Sequence, residues 1–296
     1  MINYCKTLML ALALTGAASC STATKTPEKT SSSQHRWSSE VLKDVRYGDF
    51  ERNVMDVYLP EDRSPKSAFV INIHGGAWTQ GDRKFDNQLS EYLVSHGIAV
   101  ANINYRYANK EDTHLPELLD DVDHVVKYLS DHSKEWNTRS SGFSITGGSS
   151  GAHVSMMYAY TKNPDIKTII ERCGPVDFTD VETLKYVKAA NLFEVLDKMS
   201  GNTTVWNPGD AIPAAYAKTS PVAYVNKIPI MIIHGDKDEV VPIPQAYILE
   251  KALKAKGTPY KLVVVPGAGH QIEKKPADQQ TVFTDMAVWL NKYGIN

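Results

Sequence analysis

The stretch Thr146-Gly147-Gly148-Ser149-Ser150-Gly151-Ala152-His153 holds a serine in the pattern G-x-S-x-G, and only Ser149 occupies the serine position. A strand-like run, 143–145, precedes the pattern, and a helix is expected from Ala152 onward. A sharp strand-to-helix turn of this kind exposes a serine hydroxyl above a sheet and needs small flanking residues. The pattern predicts that Ser149 is a nucleophile. On its own it also fits a plain Gly/Ser turn.

A second glycine-rich run, His74-Gly75-Gly76-Ala77-Trp78, directly follows a predicted strand that ends at Ile73. Glycines let backbone N–H groups approach a reacting carbonyl without a Cβ clash. In hydrolases built on a serine turn, one such N–H comes from the residue after the nucleophile and another from a loop of this type. We therefore predict that the N–H groups of Gly75, Gly76 and Ser150 stabilise a developing oxyanion.

A serine hydroxyl needs a base to take its proton, and the base needs a carboxylate to orient it. In this class of hydrolase the chain order is serine, acid, histidine. His270 is the only histidine after the acidic group at 236–239, so it is the predicted base. Asp238 is the predicted acid, and Asp236 is the alternative. His153 is expected to be a buried, hydrogen-bonded residue on the helix after Ser149.

Two ligand-binding interpretations of these motifs fail on spacing. Gly76 to Gly81 has the spacing of a phosphate-binding loop, but the next residues are Asp82 and Arg83 instead of Lys and Ser or Thr. The acidic group 236–239 lacks the ligand spacing of a calcium loop. The sequence therefore predicts a reaction with no metal and no organic cofactor.

Strand-like and helical segments alternate along the chain, which is typical of an α/β fold with a mostly parallel central sheet and helices on both faces. An irregular stretch, 176–226, is predicted to form a small cap. The acidic run Asp120, Asp121 and Asp123 is expected to be a solvated helix face. The predicted strands are 68–73, 97–105, 142–145, 168–172, 229–233 and 260–265. The predicted helices are 87–95, 114–132, 150–161, 243–256 and 279–292.

The N-terminal residues have a different composition. Lys6 is followed by a short apolar run and then small residues, which predicts a signal peptide over 1–19. Ala17-Ala18-Ser19-Cys20 resembles a bacterial lipobox, so Cys20 is the predicted lipid anchor and 20–36 a flexible linker. A simple signal peptide is the alternative. These patterns predict an exported protein, anchored to the membrane only through lipid, or otherwise periplasmic or secreted.

The predicted domain, 37–296, has one cysteine, Cys173, and cannot form an intramolecular disulfide. Hydrophobic residues make up 42% of the chain, enough for a sizeable core. The formal net charge is −2 and no basic cluster is present. A nucleic-acid partner is therefore not expected.

Further short motifs are Met55-Asp56-Val57-Tyr58-Leu59-Pro60, Gly81-Asp82, Asn104-Tyr105-Arg106-Tyr107 and Ser220-Pro221. Together with the motifs above, they resemble the α/β-hydrolase superfamily, and within it bacterial esterases that include bifunctional feruloyl and acetyl-xylan esterases. The resemblance runs from about Tyr47 to the C-terminus. It departs at Ala77, where many relatives have a third glycine. It also departs at Gly148 and Ser150, which replace an acidic residue and an alanine.

This resemblance implies a serine carboxylesterase that removes acetyl or feruloyl groups from extracellular glycans. Trp78, Trp206 and Tyr216 are expected to line the substrate pocket, where aromatic rings could stack on a sugar or an aromatic acyl group. Two alternatives stay open. One is a serine peptidase of the prolyl-oligopeptidase type, and the other is a non-catalytic, surface-tethered glycan-binding protein.

Overall fold

A computed structural model describes residues 37–162, 165–272 and 274–295. The predicted signal peptide, the predicted lipid anchor Cys20 and the linker 20–36 lie outside these residues. The strands are β1 (Glu40–Arg46), β2 (Val54–Leu59), β3 (Phe69–Ile73), β4 (Ala99–Ile103), β5 (Ser144–Gly148), β6 (Ile169–Arg172), β7 (Ile230–Gly235) and β8 (Tyr260–Val265). The helices are α1 (Asn87–Ser95), α2 (Leu115–Trp136), α3 (Ser150–Thr161), α4 (Val181–Ala189), α5 (Phe193–Ser200), α6 (Ala214–Lys218), α7 (Pro244–Lys256) and α8 (Pro276–Tyr293).

The eight strands form one sheet in the order β1-β2-β4-β3-β5-β6-β7-β8. Strands β1, β2 and β4 pair antiparallel, and every other neighbouring pair is parallel. The parallel strands β3, β4 and β6 are buried along their whole length, and most of their residues are apolar, as is typical of strands covered on both faces. The prediction of a mostly parallel sheet is confirmed.

Helices cover both faces of the sheet. On one face, Val122 of α2, Val154 of α3 and Leu249 of α7 belong to one hydrophobic core. On the other face, Leu93 of α1 and Leu290 of α8 belong to a second core. Each helix buries an apolar stripe, because only that side packs against the sheet. Within the described ranges, no helix has both the length and the apolar composition that crossing a membrane requires.

One helix residue differs from its prediction. Asp121 of α2 is fully buried, whereas the acidic run that contains it is predicted to be a solvated face. Its carboxylate accepts hydrogen bonds from the backbone N–H of Arg106 at 2.8 Å and from the Arg106 side chain at 3.0 Å. A buried carboxylate is tolerated when a cation and hydrogen bonds compensate it. Asp120 and Asp123 are not buried.

The segment between β6 and β7 carries α4, α5 and α6 and corresponds to the predicted cap, 176–226. Residues of α4 and α5 face the same cavity as Ser149. The parallel register brings the carboxyl ends of β3, β5, β6, β7 and β8 to one edge of the sheet. Sites in parallel α/β sheets form at this edge.

Candidate active site

Ser149 forms the turn between β5 and α3, with φ 55° and ψ −122°. A non-glycine residue rarely adopts such a conformation, and strain of this kind is typical of functional turns. The backbone N–H of Ser149 donates to the carbonyl oxygen of Arg172 at 2.7 Å, which ties the turn to β6. A Cβ at Gly151 would lie 2.0 Å from the carbonyl oxygen of Ile73, so this position accepts only glycine. The G-x-S-x-G spacing thus has a steric cause in the packing of β5, α3 and β3.

The loop after β3 lies directly against this turn. A Cβ at Gly75 would lie 2.9 Å from the carbonyl oxygen of Gly148 and 3.2 Å from the Cβ of Ser149. Gly76, Ala77 and Trp78 have positive φ angles of 128°, 48° and 60°. This backbone path turns the loop back toward the serine. The N–H groups of Gly75 and Gly76 are therefore available beside the N-terminus of α3, where Ser150 is the first residue.

The side chains of His74 and Arg52 hold that loop in place. His74 is bonded through Nδ1 to the carbonyl oxygen of Gly75 at 2.7 Å, so Nδ1 carries the proton. Arg52 donates to Nε2 of His74 and to the carbonyl oxygen of Gly81, both at 3.2 Å. Burial lowers the pKa of His74 to about 4, although its bond to Gly75 opposes this shift. His74 is thus a neutral brace at physiological pH.

Asp238 and His270 meet across the loops that follow β7 and β8. His270 donates from Nδ1 to Oδ2 of Asp238 at 2.8 Å. The other oxygen of Asp238 accepts the N–H groups of Val240 and Val241 at 2.8 and 2.9 Å. Burial raises the pKa of Asp238, but hydrogen bonds from His234 and His270 outweigh burial and hold this pKa well below its usual range. Asp238 is an ionised orienting group for the imidazole.

Asp236, the alternative acid, has a different partner. Its Oδ1 accepts the backbone N–H of Gly267 at 2.7 Å, which fixes the start of the loop that carries His270. The backbone N–H of Lys237 donates to the carbonyl oxygen of Ala268 at 2.9 Å and fixes the same loop. The structure therefore brings Asp238 to the imidazole and uses Asp236 for loop geometry.

His153 lies on α3 and is fully buried. Its Nδ1 accepts the indole N–H of Trp78 at 3.1 Å, and its Nε2 donates to the carbonyl oxygen of Thr219 at 2.7 Å. Burial lowers the pKa of His153 to about 4. Because both ring nitrogens are engaged, His153 has no lone pair left for the proton of Ser149.

A cavity of about 90 Å³ opens beside Ser149 and Ser150 and is almost entirely apolar. We call it the acyl cavity. Its walls include Ala77, Trp78, Phe178, Val187, Val195 and Leu196.

Two of the three predicted pocket aromatics lie elsewhere. Trp206 and Tyr216 are 2% and 0% exposed and do not line the acyl cavity. Both pack near Phe193, with ring centroids 6.1 and 6.3 Å away. The hydroxyl of Tyr216 donates to Asp197 at 2.6 Å. Their assignment to the pocket is wrong, because the cap needs aromatic side chains for its own core. Trp78 does line the cavity.

An open groove of about 500 Å³ is lined by His270, and we call it the His270 groove. Its lining mixes apolar residues such as Ala268 and Ile272 with the charged side chains of Lys237, Glu239, Lys274 and Lys275. The two depressions therefore differ in charge, because no charged residue lines the acyl cavity.

The side chains of Cys173, His234 and Asp238 have potential ligand atoms within 4.8 Å of one another. Asp238, however, already accepts hydrogen bonds from His270, Val240 and Val241. An ion bound here would compete with the bond that orients His270. We assign these three residues to the hydrogen-bond network behind His270 instead of to a metal.

Sequence reasoning missed two buried residues near the site. Gln245 of α7 accepts the N–H groups of Val176 and Asp177 at 2.7 and 2.9 Å and so holds the start of the cap segment. Glu171 lies on β6 and is fully buried. A glutamine that begins a helix and a glutamate inside an apolar strand give no local signal of such roles.

Comparison with known proteins places this site in a family. Residues 55–253 match the family model BD-FAE. Among curated proteins, the "Probable carboxylic ester hydrolase LipM" of Mycobacterium tuberculosis is 27% identical over 221 residues, covering 69% of this chain and 49% of LipM. The "Esterase LipQ" of the same organism is 26% identical over 258 residues, covering 81% of this chain and 59% of LipQ. The chain thus spans between about half and three fifths of the length of these relatives.

Solved structures agree on the fold. A truncated carbohydrate esterase from gut microbiota superposes with a TM-score of 0.70 at 22% identity and covers 87% of this chain and 97% of that one. The Est2 esterase of Thermogutta terrifontis with propionate bound gives a TM-score of 0.66 at 17% identity, covering 86% and 94%. The family model spans well over half of the chain, and these structures share its sheet and helices. The chain therefore belongs to the BD-FAE family and has the fold of these esterase structures.

Proposed function

We propose that this protein hydrolyses carboxylic esters through an acyl-enzyme formed on Ser149, with His270 as the base and Asp238 as its orienting acid. The observation that carries the proposal is the meeting of three features at one edge of the sheet. These are the strained turn at Ser149, the glycine loop packed against it, and the Asp238–His270 hydrogen bond of 2.8 Å.

The mechanism follows from these groups. His270 takes the proton of Ser149, whose oxygen attacks the ester carbonyl. The negative charge that develops on the carbonyl oxygen is stabilised by the N–H groups of Gly75, Gly76 and Ser150. The protonated His270 then donates its proton to the leaving alcohol and afterwards activates a water molecule that releases the acid. Asp238 stabilises the imidazolium in both halves of the reaction.

The substrate that we propose is an acetyl or feruloyl ester on a glycan. The acyl cavity supports this choice, because its apolar and aromatic walls suit a small or an aromatic acyl group. The charged side chains at the His270 groove suit a hydroxyl-rich alcohol such as a sugar. The carbohydrate esterase among the similar structures adds support for this class of substrate.

We also propose that the protein is exported and anchored through a lipid on Cys20, which would hold the enzyme near extracellular glycans. The apolar run after Lys6 and the Ala17-Ala18-Ser19-Cys20 motif support this proposal. The test is the partition of the full chain into detergent after expression in a bacterial host. We expect wild type in the detergent phase and Cys20→Ala in the aqueous phase; equal partition of both would contradict the anchor.

The substrate proposal is tested with a chain that begins at Trp37. We would measure acetate release from acetylated xylan and ferulate release from methyl ferulate, with Ser149→Ala as the matched control. Release by the wild type should fall by up to ~10⁶-fold in the variant. Release that persists in Ser149→Ala would contradict the serine mechanism. Cleavage of a peptide amide without cleavage of either ester would favour the peptidase alternative.

A further inference from the structure

Two buried polar side chains behind the Asp238–His270 pair share an unusual feature. Glu171 on β6 and His234 on β7 are both 0% exposed. Among the described residues, Oε1 of Glu171 and Nδ1 of His234 have no hydrogen-bond partner, and neither has the hydroxyl of Tyr160 near Glu171. Buried polar atoms without partners are rare and costly, so three of them in one place call for an explanation.

The sheet register places these residues on the same face. Glu171 pairs with Ile232 in the parallel β6–β7 ladder. Side chains alternate along a strand, so His234, two residues beyond Ile232, lies on the face of Glu171 and diagonal to it. The other oxygen of Glu171, Oε2, accepts the backbone N–H of Gly174 at 2.8 Å, which fixes the carboxyl group. The unpartnered oxygen and the unpartnered nitrogen therefore belong to neighbouring side chains.

The contacts of His234 determine which of its nitrogens can titrate. Nε2 lies 2.7 Å from the carbonyl oxygen of Val241, which can only accept, so Nε2 always carries a proton. The same nitrogen lies 3.3 Å from Oδ2 of Asp238, the oxygen that also binds His270. Nδ1 is the nitrogen that gains or loses a proton. His234 thus contacts the acid of the active site with one nitrogen and leaves the other for Glu171.

We propose that Glu171 is a positioning residue for ester hydrolysis and acts on Asp238 and His270 through the ring of His234. This inference rests on the proposed function. With a proton on Nδ1, His234 is a cation between two carboxylates, and its Nε2 draws Oδ2 of Asp238 into a fixed orientation. Without that proton, the charge of Glu171 adds to that of Asp238 and stabilises the imidazolium that His270 becomes during the reaction.

The electrostatics of the cluster support this role. Burial raises the pKa of Glu171 to about 7, although the charge of His234 opposes the shift. Burial lowers the pKa of His234, but its bond to Asp238 and the charge of Glu171 outweigh burial and raise it. The other titratable groups that face Glu171 are Tyr160 of α3, Cys173 at the end of β6, and Asp238. Tyr160 and Cys173 stay neutral, since burial raises the pKa of each. The pKa values of both members of the Glu171–His234 pair are therefore raised.

The kinetic test compares Glu171→Gln with Tyr160→Phe on p-nitrophenyl acetate. Glu171→Gln keeps the shape and the Gly174 bond but removes the charge, whereas Tyr160→Phe removes a buried hydroxyl beside the same carboxyl. At pH 8 we expect kcat of Glu171→Gln to fall about threefold to tenfold, because the variant lacks the negative charge that stabilises the imidazolium of His270. A loss of this size corresponds to about half to one pKa unit. KM should not change. The acid limb of kcat/KM should move to lower pH by about half a unit in Glu171→Gln and stay in place in Tyr160→Phe.

A double-variant cycle tests whether the effect passes through His234. In a His234→Gln background, Glu171→Gln should add no further shift of the acid limb. A full additional shift would overturn the proposed route. An unchanged acid limb and kcat in Glu171→Gln, or an equal shift in Tyr160→Phe, would overturn the role of Glu171 itself.

A spectroscopic arm covers the cases in which Glu171→Gln does not fold or the proposed function fails. Nitrogen NMR of the wild-type chain with labelled histidine, assigned through His234→Gln, reports the proton on each ring nitrogen. We expect Nε2 of His234 to stay protonated and Nδ1 to bind a proton with a midpoint above 6.5. A neutral Nδ1 at all pH values down to 6.5 would overturn the inference. Absence of ester hydrolysis by the wild type would overturn the proposed function. The NMR measurement of His234 would then decide the inference about Glu171 and His234 by itself.

Discussion

The acyl cavity contains Ser149 and the His270 groove contains His270, and the two differ in charge. The cavity has apolar walls such as Phe178 and Leu196, whereas the groove presents Lys237, Glu239 and Lys275 to solvent. An acyl-enzyme has to keep its acyl group and exchange its alcohol for water. For the proposed ester hydrolysis, the contrast favours the acyl group in the cavity, and the departing alcohol and the incoming water in the groove.

Each side also has its own histidine. His153 behind the cavity is locked by Trp78 and Thr219, and burial keeps its pKa at about 4. His270 beside the groove has one nitrogen on Asp238, and 21% of its side chain is exposed. A histidine with both nitrogens engaged can only be structural, whereas one with a single anchored nitrogen can move protons.

The largest expected effect separates these two histidines. His270→Gln should lower kcat by ~10⁵–10⁶-fold, because the proton of Ser149 then has no acceptor. His153→Gln should lower kcat less than about tenfold, since a glutamine amide can replace the bonds to Trp78 and Thr219. Steady-state kinetics on p-nitrophenyl acetate measures both. A loss in His153→Gln as large as that in His270→Gln would remove the distinction between the two sides.

The next effect separates the two acidic residues on the groove side. Asp238→Asn should lower kcat by ~10⁴-fold, because the amide favours the wrong tautomer of His270. Asp236→Asn should cost far less, since its bond to the N–H of Gly267 can be kept by the amide oxygen. The same assay at pH 8 decides between them. A larger loss in Asp236→Asn would transfer the role of the acid to that residue.

The third prediction concerns the contribution of His153, beside the acyl cavity, to the free energy of unfolding at low pH. Because the pKa of His153 is about 4 in the folded protein and ~6.5 when unfolded, the unfolded chain binds a proton first as the pH falls. Stability from this residue is complete above pH 6.5 and is lost between pH 6.5 and 4, by about 3 kcal/mol in total. Urea unfolding at pH 7 and pH 4 measures this loss in the free energy of unfolding. The loss in His153→Gln should be about 3 kcal/mol smaller than the loss in wild type. Equal losses in both proteins would mean that His153 is protonated in the fold.

The smallest effect concerns Ala77, which has a φ of 48° and lines the acyl cavity. Ala77→Gly removes left-handed strain of ~1–2 kcal/mol but adds freedom to the unfolded chain worth ~0.4–1 kcal/mol. We expect a net gain in the free energy of unfolding of about 0.5 kcal/mol. The lost methyl group should also raise the ratio of feruloyl to acetyl turnover. A lower ratio would show that the acyl group does not reach Ala77.

The sequence predicted the parts of the fold whose burial leaves a local pattern. The strand predicted at 260–265 and the helices predicted at 87–95 and 150–161 have the same bounds as β8, α1 and α3. Strands β1 and β2 were not predicted. The residues of β1 are mostly exposed and charged, and only pairing with β2 at the edge of the sheet makes them a strand. That pairing depends on tertiary contacts and not on periodicity.

The candidate site follows the same rule. Chain order and glycine spacing pointed to Ser149, Asp238 and His270, because backbone geometry fixes those spacings. The type of an aromatic side chain says nothing about which core it fills, so Trp206 was misassigned. Glu171 escaped prediction because its neighbours in space, such as His234, are about sixty residues away along the chain.

Cys173 at the end of β6 offers a further use of this architecture. Its thiol is 2% exposed beside Asp238, and a chain beginning at Trp37 contains no other cysteine. A thiol reagent can reach this sulfur only when the strand end and the loop of Asp238 separate. The rate at which Cys173 is labelled in the native enzyme would therefore measure how often this edge of the sheet opens. An acyl group trapped on Ser149 should lower that rate.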